Sequence, residues 1–231
     1  MGSQPTKLSP WLFLLFWVIG QTIGGLGFGL WFASNPSLRA WQHSSQGFFV
    51  LKMLWLLLGV GIFVGMHRPK SLCETFDLSS LKLSPKEIRP HWIALGIVLA
   101  ALMHIIPHTW GNRIVGEMIR RSGSEGGFIY VVTAMLLGSI LDEAIMRGYL
   151  YQGFRNIHGR LTGIIIISIL SILLHPDLYH GPIYAVCFYA GFGALLCCIF
   201  ESNNNLMDCM VFHIGYTGTL LVVSKLIVSA N

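Results

Sequence analysis

The chain has 231 residues, of which 54% are hydrophobic and 11% charged, with a formal net charge of +5. Soluble domains carry about 25% charged residues, so this composition excludes a water-soluble globule. The positive charge gathers in residues 67–89, where Arg68, Lys70, Lys82, Lys86 and Arg89 face Glu74, Asp77 and Glu87. Between apolar blocks such a cluster orients a chain in a bilayer before it recruits nucleic acid.

The apolar residues fall in blocks separated by short polar stretches, and about twenty apolar residues at helical rise cross a hydrocarbon core of about 30 Å. In chain order they predict helices over about 10–33, 47–66, 90–108, 127–152, 160–180, 182–200 and 205–227. The blocks are apolar on every face and rich in Leu, Ile and Gly, unlike the alternating segments of a transmembrane β-barrel. The expected fold is all-α: a polytopic membrane protein, one bundle of about seven transmembrane helices, with 1–231 as a single membrane domain.

The first block is long and Gly-rich, and no small-residue cleavage site follows a short apolar core, so it reads as a retained span. Its Gly20/Gly24 and Gly25/Gly29 pairs allow close approach of another helix, including one from a second copy in a homodimer, although glycine is also simply common in membrane helices. The cysteines make neither a disulfide nor a metal pattern: Cys73 stands alone in a loop, and Cys187, Cys197, Cys198 and Cys209 lie in or beside apolar spans. With the N-terminus inside, the inner loops collect Lys7, Arg68, Lys70, Lys82, Lys86, Arg89, Arg155 and Arg160, against Arg39, Arg113, Arg120 and Arg121 outside. That asymmetry favours an N-in orientation. Ser84-Pro85-Lys86-Glu87 has the composition of a capping box and predicts a short helix from Pro85 leading toward the third span. Residues 109–126 are polar and are expected at the outer surface.

Ionisable residues inside spans are costly and mark function by default. The set is Asp142, Glu143 and Arg147 in the fourth span, His175 in the fifth and His213 in the seventh. Lys52, Asp208 and Lys225 lie nearer span ends, where snorkelling accounts for them. His104 and His108 share a helix face and either line a cavity or serve as hydrogen-bonded structural groups. Counted from the inner ends of their helices, Glu143, His175 and His213 lie roughly 15, 22 and 12 Å deep, so tilts and kinks can bring them into one pocket. Pro176 makes the depth of His175 the softest of the three.

Glu143 and Arg147 stand at i,i+4, which puts carboxylate and guanidinium on one face, while Asp142 points about 100° away. Two acids with one arginine leave an acid that needs a proton, a histidine or water. A carboxylate and an imidazole sharing a water make a general base. The same spacings also suit a buried ion network that only locks helices together.

Asp142-Glu143-Ala144-Ile145-Met146-Arg147 resembles the Glu-Glu-xxx-Arg motif of the CPBP family, the CAAX proteases and bacteriocin-processing enzymes also called Abi proteins. Ser171-Ile172-Leu173-Leu174-His175 is similar to its Phe-xxx-His motif, and His213-Ile214-Gly215-Tyr216-Thr217 to its His-xxx-Asn motif. Together the motifs cover about 127–220, in the family's order. The resemblance implies an intramembrane endopeptidase, metal-free and without a cofactor, acting on a membrane-anchored or hydrophobic peptide in the bilayer. In that scheme Asp142 and His175 activate a water, Glu143 pairs with Arg147, and His213 with Thr217 faces the oxyanion, where each donor is worth a few kcal/mol. Asp142, Ser171 and Thr217 depart from the family's Glu, Phe and Asn; a carboxylate one methylene shorter matters, because about 1 Å of misplacement costs roughly 10²-fold in rate. The family's range leaves a bacterial inner membrane and a eukaryotic internal membrane both open.

Other chemistries fit less well. Two histidines and a carboxylate can hold zinc, but no His-Glu-x-x-His occurs. Gly138-Ser139 lacks a Gly-x-Ser-x-Gly elbow. A transporter would show inverted repeats. A catalytically silent scaffold that binds another membrane protein remains the alternative from a different class.

Overall fold

The structure is a computed structural model that describes residues 10–15, 84–105, 125–173 and 182–230, with isolated positions between them. Within these, every regular element is helical. A 3₁₀ turn, Pro85–Glu87, precedes α1 (Pro90–Ile105). Next comes α2 (Glu125–Glu143), which passes without a break into a π-helical stretch, Ala144–Tyr151, and then into α3 (Gln152–His158). Then follow α4 (Arg160–Leu173), α5 (Ile183–Asn203) and α6 (Leu206–Ala230).

Among the described residues, three helices are long and apolar enough to cross a membrane: Phe128–His158, Ile183–Asn203 and Leu206–Ser229. Pro90–Met103 and Arg160–Leu173 are shorter apolar helices. The surface differs from that of a soluble protein. Leu161, Ile183 and Leu226 are 72%, 75% and 64% exposed, whereas Glu143 and Asp208 are fully buried. Such a surface suits lipid, where apolar side chains cost nothing to expose and polar ones must find partners inside. The chain is an all-α integral membrane protein. Most of the spans expected at 10–33 and 47–66, with their glycine pairs, lies outside the described residues, as do Lys52, Cys73, His108 and most of the 67–89 loop.

Helix ends follow local chemistry. The expected fourth span stops at 152, but the helix runs on through Gly153 to His158. Gly159 ends it with φ +86°, a conformation open to glycine, and its N–H donates to Arg155 O at 2.9 Å. Gly163 then lets α4 fold back closely: a Cβ there would lie 3.2 Å from both Arg155 N and the Tyr151 ring. Between α5 and α6, Asn204 takes the left-handed conformation (φ 52°), and Asn205 Oδ1 accepts from Met207 N at 3.1 Å as an N-cap for α6.

The capping box expected at Ser84 does not form. The turn is a single 3₁₀ turn without a side-chain cap, because Ser84 is held elsewhere: Asn205 Nδ2 donates to Ser84 O at 3.0 Å and Ser84 N donates to Asn205 Oδ1 at 3.2 Å. Asp208 likewise does not snorkel. Fully buried, it accepts from Arg89 N at 3.0 Å and from Asn203 Nδ2 at 3.2 Å, and Arg89 Nη2 donates to Asn203 Oδ1 at 2.9 Å. This lacing fixes the starts of α1 and α6 side by side, so the two helices run parallel. Asp208→Ala leaves two half-buried donors without their acceptor and is expected to lower stability by about 1–3 kcal/mol, read as a lower unfolding temperature in detergent micelles.

From that end α1 and α6 pack almost backbone to backbone. A Cβ on Gly96 would run into the Phe212 carbonyl oxygen, and one on Gly215 would lie 2.9 Å from Ile93 O. Close approach through small residues is how membrane helices gain packing without a hydrophobic driving force. The core around them joins Leu150, Tyr151, Phe154, Leu196, Phe200 and Phe212, all fully buried. Near the N-terminus, Phe13 is also fully buried, with its ring 4.9 Å from that of Tyr149.

Candidate functional site

The polar site lies where α2 meets α6. These helices run antiparallel in a fixed register: Ser139 stands opposite Thr217, and one turn along, Glu143 stands opposite His213. Each partner is four residues from the next on its own helix, so both pairs share the facing surfaces.

Glu143, the last residue of α2, has no exposed surface. Its Oε1 is 3.1 Å from Arg147 Nη1 and 2.7 Å from His213 Nδ1. The i,i+4 pairing read from the sequence is present, but Arg147 reaches back across π-helical winding. Such stretches are frequent at functional sites, where the wider winding re-aims side chains. Here the carbonyl of Gly148 accepts from Gln152 Nε2 at 2.6 Å.

Arg147, 3% exposed, is also tied to a third helix: Nη2 donates to Gly193 O on α5 at 3.1 Å. Gly193 in turn lies flat on α4, where a Cβ would come 2.6 Å from Ser171 Oγ and 3.3 Å from Ser168 Cα. Ser171 donates its hydroxyl to Ile167 O at 2.9 Å. The small side chain of Ser171 leaves room for α5 to come close, and Gly193 there offers Arg147 its carbonyl. The ring of Phe192 meets the His213 ring edge-on, with centroids 5.2 Å apart.

Two atoms of this network, Glu143 Oε2 and Arg147 Nε, have no hydrogen-bond partner among the described residues. Glu143 Oε2 is buried and makes no hydrogen bond among the described residues. Buried carboxylate oxygens are normally paired, so this one marks a place where a water or a substrate donor fits. Asp142 is half-buried and makes no hydrogen bond or ion pair among the described residues. Thr217, 5% exposed, lies 3.1 Å from Ser139 Oγ.

Of the site residues read from the sequence, the structure brings together Glu143, Arg147 and His213, places Thr217 one turn from His213, and leaves Asp142 on the adjoining face. His175 lies outside the described residues. Two contributors escaped the reading. Ser139 carried a signal in its position four before Glu143, on the same face. Gly193 carried none, since it contributes a backbone carbonyl.

Residues 124–219 match the family model of the type II CAAX prenyl endopeptidases, Rce1-like. The match contains α2, the π-helical stretch, Gly193 and the part of α6 that carries His213 and Thr217. It agrees with the CPBP and CAAX-protease resemblance carried by the motifs, and it supports an intramembrane endopeptidase of the type II CAAX class. Comparison with curated proteins and with solved structures gave no match. The Rce1-like stretch holds every described side chain of the polar site, whereas the Asp208–Arg89–Asn203 lacing joins it to the segment before α1.

Proposed function

We propose that the protein is an intramembrane endopeptidase that hydrolyses a peptide bond near the C-terminus of a prenylated, membrane-anchored protein. The observation that carries this reading is the Glu143 carboxylate inside the Rce1-like stretch. It is fully buried, holds both Arg147 and His213 through Oε1, and leaves Oε2 without a partner among the described residues. A network that only locked helices together would be expected to fill that acceptor, because an unmet buried group costs about 1–3 kcal/mol.

In the proposed mechanism Asp142 and His175 activate the water. The water oxygen adds to the scissile carbonyl carbon, and its proton passes to the base. The tetrahedral oxyanion takes hydrogen bonds from His213 and Thr217. The C–N bond then breaks as the base returns the proton to the leaving nitrogen, with no metal required. Glu143 and Arg147 act on His213: with Nδ1 committed to the carboxylate, the ring orientation is fixed and Nε2 is the nitrogen left to donate, which it does when the ring carries both protons. Asp142, not held by any described side chain, is free to engage water or His175.

The test compares membranes carrying wild type, Asp142→Ala, Glu143→Ala or His175→Ala, each confirmed to insert, by profiling untrimmed prenylated C-termini. The expected result is one shared set of precursors accumulating in all three variants. Unchanged processing, with a phenotype for loss of the whole chain, would replace this reading with a catalytically silent scaffold.

A further inference from the structure

The Ser139–Thr217 contact limits what Thr217 can do. A hydroxyl has one proton to give. Ser139 Oγ donates to Met135 O, 2.9 Å away and one turn back on its own helix. The 3.1 Å contact between the two hydroxyls is then satisfied by Thr217 donating to Ser139. In this arrangement Thr217 has already spent its proton and has nothing to offer a developing oxyanion.

From this geometry we infer that Ser139 is a positioning residue that arms Thr217 by reversing one hydrogen bond. The inference rests on the function proposed above. In the resting arrangement the chain of donors runs Thr217 to Ser139 to Met135 O. In the armed arrangement the Ser139 hydroxyl rotates to donate to Thr217 Oγ1, and the Thr217 proton turns to the oxyanion. No bond to hydrogen breaks, so the step needs only two hydroxyl rotations. Met135 O keeps its place in the helix ladder, so releasing Ser139 leaves no orphaned group.

The register makes the switch local. Ser139 lies one turn from Glu143, and Thr217 one turn from His213, so two donors, His213 and Thr217, are set by two partners on one face of α2. Both hydroxyls are nearly excluded from solvent, at 3% and 5% exposure, so bulk water does not compete for the Thr217 proton. A threonine at this position therefore needs a second hydroxyl to aim it, whereas an asparagine amide carries its own fixed pair of donors.

The experiment measures hydrolysis of an internally quenched farnesylated CAAX peptide by the full-length protein in proteoliposomes. Removing one oxyanion donor costs about 10²–10³ in turnover, and loss of its aim is expected to cost about 10–100-fold. Ser139→Ala should therefore lower kcat by that factor with KM nearly unchanged. Ser139→Thr should restore most of the rate. Ser139→Ala should have no further effect in a Thr217→Val background, and Ser139→Ala combined with Thr217→Asn should recover activity, since the amide fills the vacated space and needs no aiming. An unchanged kcat in Ser139→Ala, or an equal loss in the Thr217→Val background, would overturn the inference while leaving the proposed function in place. A folded wild type that cleaves no prenylated peptide would overturn both.

Discussion

Glu143→Gln is expected to be the most damaging single change in the described part of the molecule. The carboxylate is the only described counter-charge of Arg147, and it also holds His213 at 2.7 Å. Glutamine keeps the volume and removes the charge, leaving a guanidinium with 4% side-chain exposure uncompensated in low dielectric. Breaking a buried pair from one side costs about 3–5 kcal/mol, because the remaining charge must be accommodated alone. Unfolding in detergent should show a loss of that size, and turnover should be abolished. A control separates the two effects: in Arg147→Met/Glu143→Gln both charges are gone, so much of the stability should return while activity stays lost. Recovery of activity in the double variant would show that Glu143 serves Arg147 alone and does nothing for His213.

The second large effect is expected from Gly96→Leu, at a residue that makes no polar contact with the site. Even a methyl group there meets the Phe212 carbonyl, and it would lie 3.0 Å from Tyr216 N, so α1 and α6 must separate. Overpacking of this kind typically costs about 1–3 kcal/mol. The functional cost should be greater than the stability cost implies. Phe212 precedes His213, and a shift of about 1 Å in a reacting group lowers rates roughly 10²-fold. The measurement is turnover beside thermal unfolding for Gly96→Ala and Gly96→Leu, with the loss growing with side-chain size. Equal turnover in both variants and wild type would mean that α1 does not set the position of His213.

Much of this arrangement was legible in the chain. Helix order followed from the apolar blocks, and the starts of α5 and α6 fell within a residue or so of the positions expected. The Glu143–Arg147 pair followed from four-residue spacing, and the meeting of Glu143 with His213 from comparing depths along two helices. What escaped was carried by groups that leave no mark in side-chain chemistry. Gly193 acts through its carbonyl, and Gly96 and Gly215 act through the absence of a side chain in a sequence where glycine is common. Asp208 was misread because position near a span end suggests snorkelling. Only the fold brings Arg89 and Asn203 to it and makes burial affordable. Ser84 was misread for a similar reason: Asn205, 121 residues away, outcompetes the local cap.

The π-helical stretch also bears on how the site-bearing helix tolerates changes of length. Each π turn takes up one residue more than an α turn, so Ala144–Tyr151 holds slack that the flanking α2 and α3 lack. A deletion at Ile145 or Met146 would draw Arg147 to i,i+3 of Glu143 while leaving both flanks near their present neighbours. A deletion after Arg147 would tighten the winding and leave the charge pair at its original spacing. In this helix, insertions and deletions are therefore sorted by which side of Arg147 they fall on.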